Sequence, residues 1–160
     1  GTIDGALPLV EAVTDHAIAA LCAEACGAMK VAQAQTVDYA RQRKQFGVAI
    51  ASFQVLQHRM VDMFMAAEQS VSMTYMVNLK LGESAHDRMK AASAAKVQIG
   101  RAGRLVGQEA IQIHGGMGMT DELAVGHYFK RLTMIDAQFG NVDFHVKRYA
   151  ALSALETAAA

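Results

Sequence analysis

Apolar residues recur along this chain at a helical period, and little interrupts them. Ile18, Leu21, Cys22, Ala25, Met29 and Ala32 follow the i, i+3, i+4, i+7 spacing of an amphipathic helix. The pattern predicts a helix from about Leu9 to Gln45 that stops before Gly47. Ser52 offers an N-cap for a second helix, with Leu56, Met60, Met63, Phe64, Ala67 and Val71 on one side and an end at Gly82. Ser84 and Asp87 supply capping chemistry for a third, with Ala91, Ala95, Ala102, Leu105, Val106 and Ile113 facing inward. Its glycines, Gly100, Gly103 and Gly107, would let another helix approach closely, and Gly115-Gly116 end it. The remainder reads as a short helix near Val125–Leu132, a turn at Gly140-Asn141 and a final helix through Leu155, with an alanine-rich end expected to fray. The one proline, Pro8, stands at the expected start of the first helix; inside a helix it would cost about 3 kcal/mol. No strand alternation persists anywhere. The predicted fold is all-α, one antiparallel up-down helical bundle over residues 1–160.

Composition narrows the class without fixing a function. The chain has 160 residues, of which 52% are apolar, enough for one domain with a real core. No apolar run approaches the roughly eighteen residues of a membrane span. Asp4 and Glu11 break the N-terminal stretch and no basic segment precedes it, so no signal peptide is expected. Fifteen basic and fifteen acidic residues cancel, which leaves nothing to recruit nucleic acid or an anionic membrane surface. The expectation is a soluble cytoplasmic protein. Cys22 and Cys26 lie one helical turn apart with no further cysteine and no histidine at ligand spacing. They read as core-facing thiols, and no metal is expected.

Chemistry concentrates in two glycine-bearing segments. Arg41-Gln42-Arg43-Lys44-Gln45-Phe46-Gly47, followed by Ser52-Phe53-Gln54, places cations and amides beyond a long helix. Cations there also complement a helix dipole, and Gly47 would serve as an ordinary C-cap. A guanidinium offers a diphosphate a rigid fork of donors, which gives Arg43 a second use. The other segment is Gln112-Ile113-His114-Gly115-Gly116-Met117-Gly118. Its glycines follow a helix rather than a strand, so the dinucleotide fingerprint fails. One glycine in the left-handed region ends a helix; the others exceed that need, and extra glycine suits close approach of backbone to a ligand.

In combination these strings resemble the C-terminal helical domain of the acyl-CoA dehydrogenase flavoproteins, from about Leu7 to Ala154. In that family the bundle contacts FAD bound by a neighbouring subunit across a dimer interface. The resemblance therefore implies that Arg43 meets the FAD diphosphate and Phe46 packs against the cofactor. Gln54 would sit near the adenine end, with Gln112 and the backbone of Gly115 and Gly116 completing the site. The opening Leu7-Pro8-Leu9-Val10-Glu11-Ala12 and the later Gly140-Asn141-Val142-Asp143-Phe144-His145 look most like the small-subunit branch named for pimeloyl-CoA dehydrogenase.

The family's proton-abstracting glutamate has no counterpart here. Aligned from Gly115-Gly116, its position falls on Phe139, before Gly140; the alternative position used by a minority of members falls on Ala17. Neither side chain accepts a proton, so no catalytic residue is assigned. Asp15, Asp136 and Asp143 are the nearest carboxylates, each with an ordinary reading as a solvated or capping residue; His16 and His145 are further candidates. The family's N-terminal helical domain and β-domain do not fit in this length. The chain is expected to be the C-terminal part of a longer flavoprotein that works on acyl-CoA with a homo-oligomeric or heteromeric partner. Two alternatives stay open: the bundle of a related flavin oxidase or monooxygenase, and a non-enzymatic oligomerisation bundle.

Overall fold

The computed structural model describes residues 1–159, with side chains described through Leu155. Helix α1 spans Leu7–Gln42, α2 Gln54–Lys80, α3 Ala85–His114, α4 Val125–Ala137 and α5 Val142–Ala159. A two-residue hairpin, β1 (Lys44–Gln45) with β2 (Val48–Ala49), joins α1 to a 3₁₀ turn at Ile50–Ser52. A second 3₁₀ turn, Gly115–Met119, follows α3. The all-α bundle is as expected, and α3 is its axis, touching each of the other helices.

The inward faces follow the apolar periodicity. On α1, Ile18, Cys22, Ala25, Met29 and Ala32 are completely buried, with Thr36 and Ala40 continuing the stripe. Cys26 is half-buried and shares a hydrogen bond with the Thr74 hydroxyl at 3.2 Å. Burial pushes the Cys22 thiol up to about 12, so it is an inert core group. Leu105 and Phe64 depart from expectation: both are exposed. Each sits one residue from a buried neighbour, Val106 and Met63, and one residue is 100° of helix.

The small residues of α3 do what the sequence asks, inside the chain. A Cβ at Gly107 would stand 2.5 Å from the Phe129 ring, and one at Gly103 would stand 3.3 Å from Leu132. At Gly100 a Cβ would strike the Asp136 carboxylate and lie 2.6 Å from Val142. The glycine stripe is the seat of α4 and the start of α5, so it is not free to pair with a second copy.

Several boundaries differ from the sequence reading. α1 stops at Gln42, where the Arg43 N–H reaches the Tyr39 carbonyl at 2.8 Å, and Gly47 belongs to the hairpin instead of capping the helix. Ser52 lies in the 3₁₀ turn and donates to the Ala49 carbonyl; Phe53 holds the N-cap position of α2. Ser84 does cap α3, accepting from the Asp87 N–H at 3.1 Å. α4 runs on to Ala137. The end expected to fray is helical as far as Ala159, and Ala160 lies outside the described residues. By length and composition α1 could cross a membrane, with a mean hydropathy of 1.2 in its most apolar stretch. Its Ile18, Cys22, Ala25, Met29 and Ala32 face the bundle core beside a buried ion cluster, while Leu7, Leu9, Val10 and Val13 are exposed.

That cluster ties three helices together. Asp15 of α1 is fully buried, accepts from Arg88 Nε of α3 at 3.1 Å and from Arg148 Nη1 of α5 at 3.0 Å. The Asp15→Asn variant would leave two largely buried guanidiniums without an anion. It is expected to lose about 3–5 kcal/mol of stability in urea denaturation. A loss below about 1 kcal/mol would mean that water already solvates the arginines.

Candidate functional site

The two glycine-bearing segments meet. The hairpin turn places Phe46 (φ 53°) and Gly47 (φ 83°) both in the left-handed region, the backbone of a two-residue turn whose twist matches its strands. Phe46 stands at the tip, 92% exposed, with its ring edge-on to Phe53 at 6.1 Å. Behind the hairpin, Tyr39, Arg43, Gln45 and Ile50 form one wall of a cavity of about 430 Å³. The end of α3 and its 3₁₀ turn, Ile113 to Met117, form the other.

Ring stacking and a hydrogen bond hold the floor of this cavity. The Tyr39 and His114 rings stack at 4.4 Å, and His114 Nδ1–H donates to the Ala110 carbonyl at 2.8 Å. Gly115 has φ 61° and its N–H bonds to the carbonyls of Gln112 and Ile111, so it is the helix stop. A Cβ at Gly118 would lie 2.8 Å from the Ile111 carbonyl; packing alone demands that glycine. Gly116 is different. A Cβ there would meet nothing within 4 Å, so no contact inside the chain requires glycine at this position. Backbone bared towards an open cavity beside a guanidinium suits an oxyanion or a flat ring system.

Arg43, Gly115 and Gly116 therefore line one cavity. Phe46, Gln54 and Gln112 are exposed and lie outside its lining. Among the described residues no three His, Cys, Asp or Glu side chains gather as metal ligands.

A second cavity, about 470 Å³, opens beside the α4–α5 turn. Arg101, Arg104 and Gln108 of α3 face Asp136, Asn141 and Asp143 across it. Arg104 Nη2 stands 3.8 Å from Asp136 Oδ2, while Asp136 Oδ1 is buried with no hydrogen-bond partner. Of the remaining candidate bases, Asp15 is locked by its arginines and His16 Nδ1–H donates to the Ala12 carbonyl on the surface. Phe139 sits in the turn with φ 55°, half exposed, and Ala17 lies on α1.

Sequence reasoning passed over the group that shapes this turn. Lys96 of α3 is completely buried, and its ammonium donates to the carbonyls of Ile135 (2.7 Å), Asp136 (2.9 Å) and Gly140 (2.9 Å). Burial pulls its pKa down, against the nearby Asp136 carboxylate. His145, also fully buried, donates through Nε2–H to the Phe139 carbonyl at 3.0 Å and accepts from the Ser93 hydroxyl at 3.3 Å. A signal was available: Lys96 falls four residues after Ala92 and three before Ile99, on an otherwise apolar stripe.

The family model for the acyl-CoA dehydrogenase C-terminal domain matches residues 7–152. The chain belongs to the acyl-CoA dehydrogenase family, as its C-terminal helical domain. The acyl-CoA dehydrogenase IpdE2 of Mycobacterium tuberculosis is 35% identical over 122 residues, covering 74% of this chain and 36% of its own. The short-chain specific acyl-CoA dehydrogenase of Megasphaera elsdenii is 34% identical over 110 residues, 69% of this chain and 28% of its own. Among solved structures, the Tcur3481-Tcur3483 steroid acyl-CoA dehydrogenase superposes with a TM-score of 0.85 at 27% identity, over 91% of this chain and 40% of that one. PigA with FAD and proline gives a TM-score of 0.81 at 28% identity, over 89% and 37%. The chain thus spans well under half the length of these relatives. The family is one of FAD flavoproteins.

The buried histidine makes a pH prediction. Burial, with Lys96 and Arg148 nearby, holds His145 down at about 4 against an ordinary 6.5; its bond to Phe139 and the Asp15 carboxylate oppose that shift. The unfolded chain therefore binds the proton first as pH falls. The stability that neutral His145 contributes is fully present above pH 6.5 and is lost as pH drops towards 4. A Tm-versus-pH series should show this decline in the native protein and a shallower one in His145→Gln. Parallel profiles would mean that His145 does not titrate in this window.

Proposed function

We propose that this chain is the FAD-contacting and oligomerising C-terminal domain of an acyl-CoA dehydrogenase-like subunit, which acts on acyl-CoA thioesters beside a partner subunit. The observation that carries the flavin contact is the shared cavity of Arg43 with Gly115 and Gly116. The donor set fits a dinucleotide: the guanidinium suits the diphosphate, and the bared backbone at Gly116 leaves room for a ring. Phe46, Gln54 and Gln112 are exposed outside the cavity's lining, and the family resemblance supports a role for them towards a cofactor held mainly by a neighbouring subunit. FAD, when bound, supplies the two-electron acceptor; this chain's residues bind and orient it.

On this reading the subunit lacks its own proton acceptor. Dehydrogenation of an acyl thioester needs a base for the α-proton, and Phe139 and Ala17 stand where the family keeps one. A partner subunit would then complete the reaction, a reading supported by the resemblance of two segments to the pimeloyl-CoA dehydrogenase small-subunit branch. The likeness to PigA, whose structure holds FAD and proline, keeps one alternative in view: the bundle of a related flavin oxidase or monooxygenase. A bundle serving for oligomerisation alone is the third possibility, and flavin content separates it from the others.

Self-association rests on α2. Its outer side shows Val61, Phe64, Met65, Tyr75 and Leu79, each at least 49% exposed, opposite the face that buries Met63, Ala67 and Ser70. A helix apolar on two sides is built to be covered twice. Sedimentation of the purified protein should give a dimer or a larger assembly, and Phe64→Glu should weaken it. A strict monomer at micromolar concentration would contradict this.

Two further outcomes test the flavin reading. In the full-length protein Arg43→Ala should weaken FAD binding about 10-fold or more, the effect of losing a charge-assisted contact to diphosphate. Unchanged FAD affinity would remove Arg43 from the site. Flavin bleaching by acyl-CoA should be slow in the subunit alone, by roughly 10²- to 10⁴-fold against a base-bearing relative, and should recover with the partner. Fast bleaching by the subunit alone, lost in Asp136→Asn or Asp143→Asn, would identify the base instead.

A further inference from the structure

The α4–α5 turn is held in a way that its own sequence does not require. Gln138 still bonds the α4 ladder, its N–H reaching the Met134 carbonyl at 3.1 Å. The backbone then takes two left-handed residues in succession, Phe139 at φ 55° and Gly140 at φ 100°. Gly140 is obligatory twice over, because a Cβ there would also strike the Phe144 ring. Phe139 has no such licence. A side chain other than glycine in the left-handed region costs about 1–2 kcal/mol, and it persists only where surrounding bonds over-determine it.

Those bonds come from beneath. Three carbonyls of the corner converge on the Lys96 ammonium, and the Phe139 carbonyl itself receives His145 Nε2–H. Asn141 fixes the far side, its Oδ1 accepting from the Phe144 N–H at 3.0 Å. All of these act on main-chain atoms or on residues other than Phe139. None touches the Phe139 ring, which points out of the bundle half exposed.

We propose that Lys96 and His145 are positioning residues: through main-chain carbonyls they hold the turn in one conformation and aim residue 139 outward, whatever side chain stands there. The turn is a preformed seat that outlasts the loss of a proton acceptor from it. This rests on the functional reading above only for what the seat faces, the acyl thioester; the positioning itself stands on the hydrogen bonds.

The test uses the full-length protein with two independent readouts. Hydrogen exchange over residues 136–144 should quicken at least 10-fold in Lys96→Met and in His145→Leu, while α1 and the centre of α2 stay protected. His145→Gln, which keeps one donor and one acceptor, should restore slow exchange, and Phe139→Glu should leave it slow. Uniform quickening across the protein, or quickening in Phe139→Glu, would overturn the positioning role. The second readout is flavin bleaching by a saturated acyl-CoA thioester in Phe139→Glu. It should rise at least 10²-fold over native, and adding Lys96→Met should cancel that gain through kcat with KM little changed. A bound acyl-CoA that perturbs the flavin spectrum without bleaching in Phe139→Glu would show that the seat is not aimed at the substrate. A parent protein that holds no flavin would sink the functional reading, and the exchange experiment would still decide the role of Lys96 and His145.

Discussion

One buried ammonium sets the corner on which the second half of the bundle turns. Lys96 has lost its water entirely, and an unpaired ammonium in that position would be far too costly to keep. It is satisfied by the carbonyls that the end of α4 leaves without helical partners, where the helix dipole is negative. The third carbonyl, from Gly140, lies beyond the helix, so the same charge that ends α4 also fixes the turn into α5. The ammonium and the corner each need the other.

Because Lys96 projects from α3, that helix carries the geometry of both candidate sites. Its earlier half seats the α4–α5 turn through Lys96 and Ser93, while its end supplies His114, Gly115 and Gly116 to the Arg43 cavity. Lys96 and Gly115 are separated by about 29 Å of helix at 1.5 Å per residue. A continuous helix holds that separation without a hinge. The glycines between them let α4 lie close enough for its carbonyls to reach Lys96.

Charge also ties helices together elsewhere, both inside the bundle and on its surface. Asp15 pins α1 to α3 and α5 with two arginines. Arg131 of α4 holds Glu24 of α1 with two parallel bonds, one at 2.7 Å, and draws that carboxyl below its usual range. Asp15 and His145, read from sequence as possible bases, turn out to be committed to packing. Asp136 differs, with one oxygen unpartnered beside a cavity that also holds Arg101, Arg104 and Asp143.

Periodicity determined the helices, because each buries one apolar stripe and the stripe repeats every 3.6 residues regardless of what covers it. The family was legible as a resemblance, carried by the strings at residues 43–47, 53–54 and 112–118 in combination, and the family model over residues 7–152 bears it out. Helix ends were less legible. Gly47 looks the same in a cap and in a hairpin, and only the pairing of Lys44 with Ala49 decides between them. The tertiary structure alone decided which polar residues are buried and what they meet. Lys96 contacts carbonyls 39 to 44 positions away, and His145 meets Ser93 from 52. No local pattern encodes such contacts, because main-chain carbonyls carry no side-chain signature. Sequence names the residues that could act; the fold determines which of them remain free to do so.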